Sequence, residues 1–337
     1  MAQPLVGTTL DVPWEPSPTG SLTSVDVYIA THCNRRCTYC FLSSDYLASG
    51  KRMSLDSFSD VVSWSQRNGV NEITLLGGEP SLHPAFAQMA SLASGRGLNV
   101  RVVTNGARRF RGLLAEGAVG PHNLTRVAVS LDSLDQTVQD EFRGPGAWQD
   151  AMATVGLLRE HGVLFDINVT AVKPMLPGIA ALIDFADQAG CRRVNVHWPS
   201  TMGIGSGLDP DQIPDRNEWQ ALVSWVEKRV ERRPDFFVEI ERGFLAEGEQ
   251  LTGCALTGSS NLQILPDGSA YRCGLLVDRG EMASLFMMGD QLRLVRPSDG
   301  EELLRSSISH PCDACPAVQA YGRRACIYDK VSSVSHP

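Results

Sequence analysis

Apolar and polar residues alternate in short runs along the first two thirds of the chain. Runs of strand length lie at about 25–30, 72–76, 98–104, 125–131, 164–171 and 193–198. Between them, apolar residues recur at helical spacing over about 55–68, 84–95, 147–161 and 178–189, with a later helical stretch at 216–232. Ser54 stands before the first of these as a capping residue. Six strands alternating with helices predict parallel βαβ units with right-handed crossovers, closing part-way into a (β/α)6 barrel. By analogy with complete barrels, chemistry should gather at the C-terminal ends of the strands. In the fifth run, Asp166, Asn168 and Thr170 fall on one face and Ile167 and Val169 on the other. A polar face on a central strand lines either a site or a hydrogen-bonded barrel interior.

The pattern changes at both ends. Residues 1–22 are rich in Pro, Gly, Thr and Ser and are expected to form an extended lead-in. The barrel is expected over 23–233. Beyond Pro234 come short strand runs at about 236–240, 261–265 and 269–272, with Asp267-Gly268 as a hairpin turn, so 234–337 is expected to be a separate small domain.

Composition narrows the function. The chain has 337 residues, 43% hydrophobic and 20% charged, which suits a large buried core. The net charge of −8 and the absence of long basic runs argue against a nucleic-acid partner. No apolar run reaches the length of a membrane span, and the N-terminus lacks the layout of a signal peptide, so a cytoplasmic protein is expected. In that compartment, nine cysteines point to metal ligation over disulfides. Eight of the nine fall in two clusters. Cys191 stands apart and is expected to be packed.

The first cluster is Cys33, Cys37 and Cys40, spaced Cys-x3-Cys-x2-Cys, with Tyr39 before the last. Three thiolates on one loop can hold three irons of a [4Fe–4S] cube and leave the fourth open. Alternatives on spacing alone are an incomplete zinc site or disulfide partners. One strand later comes Gly77-Gly78-Glu79-Pro80, in which paired glycines permit a close backbone approach. Together these motifs resemble the radical S-adenosylmethionine (SAM) enzymes. The resemblance implies a partial (β/α)6 barrel in which the open iron chelates SAM and an electron from the cluster cleaves it to a 5′-deoxyadenosyl radical. It assigns SAM contacts to Tyr39, to the Gly77–Pro80 loop, and to Thr104, Asn105, Ser130 and Asn168. It also implies a flavodoxin- or ferredoxin-type electron donor.

The second cluster is Cys254, Cys273, Cys312, Cys315 and Cys326. Cys254-x13-Gly268-x4-Cys273 followed by Cys312-x2-Cys315 resembles the SPASM/twitch extension of that family. Tyr321 stands where a full SPASM domain has its next cysteine. Five cysteines suit one auxiliary [4Fe–4S] cluster, the twitch type, held by Cys254, Cys273, Cys312 and Cys315, or with Cys326 in place of one of the pair. A zinc knuckle is the alternative.

Candidate catalytic groups are His197, which shares a face with Asn195 near the end of the sixth strand, and Glu241, which alternates with Glu239. His197 could orient or deprotonate a substrate hydroxyl or be an interior hydrogen-bonded histidine. The glutamates suit a solvated strand face as well as a pocket. Met287 and Met288 are expected to pack. The short lead-in favours a small-molecule substrate (a sugar, aminocyclitol or nucleoside in antibiotic biosynthesis), with oxidation of an alcohol as the leading reaction. The alternatives are redox-neutral epimerisation, dehydration or carbon–carbon coupling on a nucleotide, and maturation of a peptide.

Overall fold

The computed structural model describes residues 12–13, 22–230, 236–241, 261–271, 274, 277, 285–294 and 330–331. A two-residue strand, β1 (Val12–Pro13), precedes an alternating series: β2 (Ser24–Ala30), α1 (Ser44–Ala48), α2 (Leu55–Arg67), β3 (Glu72–Gly77), α3 (Phe86–Gly95), β4 (Asn99–Thr104), α4 (Arg108–Ala115) and β5 (Arg126–Ser130). Then come α5 (Gln136–Arg143), α6 (Ala147–Glu160), β6 (Phe165–Thr170), α7 (Ile179–Gln188), β7 (Arg193–His197), α8 (Arg216–Val230) and β8 (Phe237–Glu241). The last strands are β9 (Asn261–Ile264), β10 (Ser269–Tyr271), β11 (Leu285–Met288), β12 (Gln291–Leu294) and β13 (Lys330–Val331).

All six expected strands form, and they pair parallel in sequence order. The parallel series is longer than six. β8 adds beside β7, and β9 adds beside β2 on the opposite flank. The described strands therefore make one sheet with eight parallel members, extended by antiparallel β10, β11, β12 and β1 on one side and by β13 on the other. The ladder does not close among the described strands. The Asp267-Gly268 turn between β9 and β10 is present, with Gly268 at φ 84°.

Alternation within the strands divides the sheet into two faces. Val27, Leu75, Val102, Val129, Ile167 and Val194 are fully buried against the helices, in the same core as Phe58, Met89 and Phe110. The opposite face is polar. In register across β5 to β8 stand Ser130, Asn168, Asn195 and Glu239. One layer nearer the strand starts, the buried Asp166 carboxylate meets Arg193 at 3.2 Å, Arg101 at 3.4 Å and Arg126 at 3.6 Å. Arg193 continues to Glu239 at 3.3 Å, and Arg101 to Glu72 at 3.7 Å. Charged groups this deep persist because each has a partner of opposite sign.

Two packing expectations divide. Cys191 is buried, its thiol donating to the Arg193 carbonyl at 3.0 Å, and burial pushes that thiol up to about 12. Met287 packs on the core, but Met288 is 53% exposed because the alternation of β11 turns it outward.

A candidate radical centre at the strand ends

The cysteine loop follows the C-terminal end of β2. Cys33, Cys37 and Cys40 are partly buried and are not joined in disulfides. A tight turn brings the Cys40 amide to the Cys37 carbonyl at 3.1 Å, and the Gly205 amide donates to the Cys40 carbonyl at 2.9 Å. Two donors point at the Cys33 sulfur: the Arg35 amide at 3.4 Å and Asn105 Nδ2 at 3.6 Å. Burial pushes the Cys33 thiol up to about 12 and raises that of Cys37 as well. Thiolates here need compensating positive charge, which a bound metal group supplies.

The Gly77–Pro80 loop lies against this one, for a steric reason. A Cβ on Gly77 would stand 2.3 Å from the Ala30 carbonyl oxygen, and one on Gly78 would stand 2.4 Å from that of His32. The close approach that the glycines permit is thus to the backbone at the start of the cysteine loop. It is closed by hydrogen bonds from the Gly78 amide to Ala30 and from the Glu79 amide to His32, both 2.9 Å.

Glu79 is wholly buried. Its Oε1 accepts from the Ser81 hydroxyl at 2.6 Å, the Ser81 amide at 3.2 Å and the Thr104 hydroxyl at 2.9 Å, while Oε2 accepts from the Asn105 amide at 2.8 Å. Burial raises its pKa and these four bonds pull it back, leaving it above the ordinary carboxylate range. Thr104 is equally committed, since its hydroxyl also accepts from the Gly106 amide at 3.0 Å. Pro80 opens a 3-10 turn, and the Glu79 side chain caps the Ser81 amide within it. Glu79 and Thr104 thus join the ends of β3 and β4. Asn105 carries the connection on to the cysteine loop, and its Oδ1 is buried with no hydrogen-bond partner.

Further along the strand ends the polar face opens. Ser130 is half-buried, and among the described residues its hydroxyl takes no hydrogen bond. Asn168 accepts from Asn195 Nδ2 at 2.7 Å. His197 closes β7 level with Thr170, and the same register carries Glu241 beside it on β8. Tyr39 is 5% exposed and packs flat on Phe142 of α5, with its hydroxyl bonded to Asp132. Its ring serves the wall of the loop. Asp132 and Arg143, which sequence reasoning gave no role, make a buried bidentate pair beside it. Arg35, also missed, runs from the cysteine loop to Asp150 and to the Gly144 and Pro145 carbonyls. The available signal was Arg35 itself, a cation set between two of the clustered cysteines.

Among the described residues, no three His, Cys, Asp or Glu side chains converge on a single ion. A lone zinc ion needs its thiolates to meet at one centre, whereas a cube offers each cysteine its own iron. The loop's three thiols, the two donors to the Cys33 sulfur and the unpaired Asn105 Oδ1 suit an iron–sulfur group with a polar ligand beside it. Cys254, Cys273, Cys312, Cys315 and Cys326 lie outside the described residues, as does the side chain of Glu241.

Residues 27–180 match the Radical SAM superfamily. The match takes in the cysteine loop and the strands from β2 to β6. Among curated proteins, the chain is 30% identical over 154 residues to the S-adenosylmethionine-dependent nucleotide dehydratase of Thermoplasmatales archaeon (strain ISO4-H5), covering 44% of this chain and 53% of that protein. It is 23% identical over 258 residues to the antilisterial bacteriocin subtilosin biosynthesis protein AlbA of Bacillus subtilis (strain 168), covering 76% of this chain and 56% of AlbA. The fold is also that of Streptococcus suis SuiB, solved bound to precursor peptide SuiA, with a TM-score of 0.63, 17% identity and coverage of 78% of this chain and 62% of SuiB. The chain thus spans between about half and two thirds of the length of each. No helix among the described residues is long and apolar enough to cross a membrane.

Proposed function

We propose that this protein is a radical SAM enzyme that modifies a peptide. The observation that carries the substrate class is the extent of the likeness. The nucleotide dehydratase matches over 44% of the chain, whereas AlbA matches over 76%. The AlbA match takes in more than the radical SAM domain, and AlbA's name places it in bacteriocin biosynthesis. SuiB, which shares the fold, was solved with a precursor peptide. These relatives favour peptide maturation over the small-molecule oxidation that the sequence suggested. Dehydration of a nucleotide is the second reading, supported by the dehydratase's higher identity.

Cys33, Cys37 and Cys40 would hold the cluster, which when bound supplies the electron that cleaves SAM to the 5′-deoxyadenosyl radical. The chain's own residues would do the positioning. The carbonyls of the Gly77–Pro80 loop stand ready for SAM's ammonium group, because the Glu79 carboxylate is spent on holding the loop. Asn105 lies between that loop and Cys33. Ser130 and Asn168 offer polar groups to the sugar and carboxylate of SAM, while His197 and Glu241 stand at the substrate end as candidate proton-transfer groups. Four of the five C-terminal cysteines would hold an auxiliary cluster, which would take up the electron lost when a substrate radical is oxidised to product.

The test is anaerobic reconstitution followed by SAM turnover with a peptide encoded beside the gene, or with nucleoside triphosphates. Peptide-dependent 5′-deoxyadenosine and a mass change in the peptide are expected. Stimulation by nucleotides alone would replace this reading with the second. No SAM cleavage under any condition would remove both.

A further inference from the structure

We propose that Asp132 and Arg143 form a charge couple that positions the cysteine loop and balances the reduction potential of the cluster it holds. The inference rests on the radical SAM reading of the loop.

Asp132 follows the end of β5 and is 1% exposed. Its two oxygens accept from three parts of the site. The Tyr39 hydroxyl comes from the cysteine loop. Arg143 Nε and Nη2 come from the last turn of α5, the latter at 2.9 Å. The Thr170 amide comes from the end of β6 at 2.8 Å, two residues beyond Asn168. A backbone bond between the Thr38 amide and the Phe142 carbonyl, 2.9 Å, fastens the same loop to the same helix end. The Arg143 guanidinium lies 5.4 Å from the centre of the Tyr39 ring, and Cys37 packs into the cluster formed by Tyr39 and Phe142. Tyr39 is adjacent in sequence to Cys40, so its bond to Asp132 ties the couple to the chain beside a proposed ligand. A full cation and a full anion therefore sit buried on one side of the proposed metal loop.

Charges in a low-dielectric wall act strongly on a nearby redox group. One-electron reduction by an external low-potential reductant makes a thiolate-held cube more negative by one. A fixed cation favours that state and a fixed anion opposes it. The two members of the couple must therefore pull the potential in opposite directions. A brace with no electrostatic role would loosen the loop in both variants alike.

The experiment is an EPR-monitored redox titration of the full chain after anaerobic reconstitution, following the cube signal that changes on adding SAM. Iron is counted first in each variant. Asp132→Asn should raise the midpoint potential and Arg143→Met should lower it. Arg143→Lys should stay near the wild type, since it keeps the charge while losing the bidentate geometry. The double variant Asp132→Asn/Arg143→Met should return toward the wild type. If Arg143→Met does not fold, the rise in Asp132→Asn and its cancellation in the double variant carry the test. Shifts of the same sign in both single variants, or no rise in Asp132→Asn, overturn the inference and leave the enzyme reading intact. A wild-type protein without a SAM-responsive cube overturns both.

Discussion

At the scale of single residues, the site is held by buried side chains that serve one another. Glu79→Ala would leave the Ser81, Thr104 and Asn105 donors without an acceptor. The expected loss of stability is about 1–3 kcal/mol for each stranded group, read by urea unfolding. The pH dependence has a definite sign. Glu79 has a folded-state pKa raised above its unfolded value, chiefly by burial. The folded state then holds the proton more tightly, and its stability falls as pH rises through the window that opens above the ordinary carboxylate pKa. Glu79→Gln should remove that slope. An unchanged slope would mean that some other group produces it. The motif itself was legible in the sequence, because glycine pairs and cysteine spacings are rigid chemical requirements. What could not be read was that Glu79 and Thr104 face inward, since a buried carboxylate and an exposed one look alike until their donors are placed.

At the scale of elements, the strands were legible and three helices were not. β2 to β7 declare themselves because one face is uniformly apolar. α1 has only five residues. α4 begins Arg-Arg and includes Gly112. α5 buries Gln139, Phe142 and Arg143, so its inward face is partly polar and its period is hidden. Its start is nonetheless capped by Asp135, which accepts from the Thr137 amide at 2.8 Å. The polar sheet face depends on Asp166 as its hub. Asp166→Ala would leave Arg101, Arg126 and Arg193 facing one another, at an expected cost of about 3–5 kcal/mol. Arg126 is the most exposed of the three arginines, at 31%, and Arg126→Ala should cost under about 1 kcal/mol. Equal losses in chemical denaturation would show that the ladder has no hub.

At the scale of the whole molecule, the later strands among the described residues join the sheet of the earlier ones. β8 pairs parallel with β7, and β9 pairs parallel with β2, so the segment after Arg233 covers both flanks of the six-strand series. Each junction has an apolar row on one face, with Val238 and Ile240 beside Val194 and Val196, and Leu262 and Ile264 beside Val25 and Val27. Ion pairs at the rim add little: Lys51–Asp267 and Arg67–Asp290 are both exposed. Hydropathy alone could not place β8 and β9, because a strand's partner is set by long-range register and leaves no local signature. The consequence is that the six-strand series should not stand alone, whatever the boundaries of its C-terminal neighbour. A chain truncated after Arg233 would expose the backbone edges and apolar side chains of β2 and β7, a template for aggregation. It should elute as large aggregates in size-exclusion chromatography and hold little iron after reconstitution. A monomeric truncated chain with a full complement of about four irons would show that the flanking strands decorate the barrel and do not complete it.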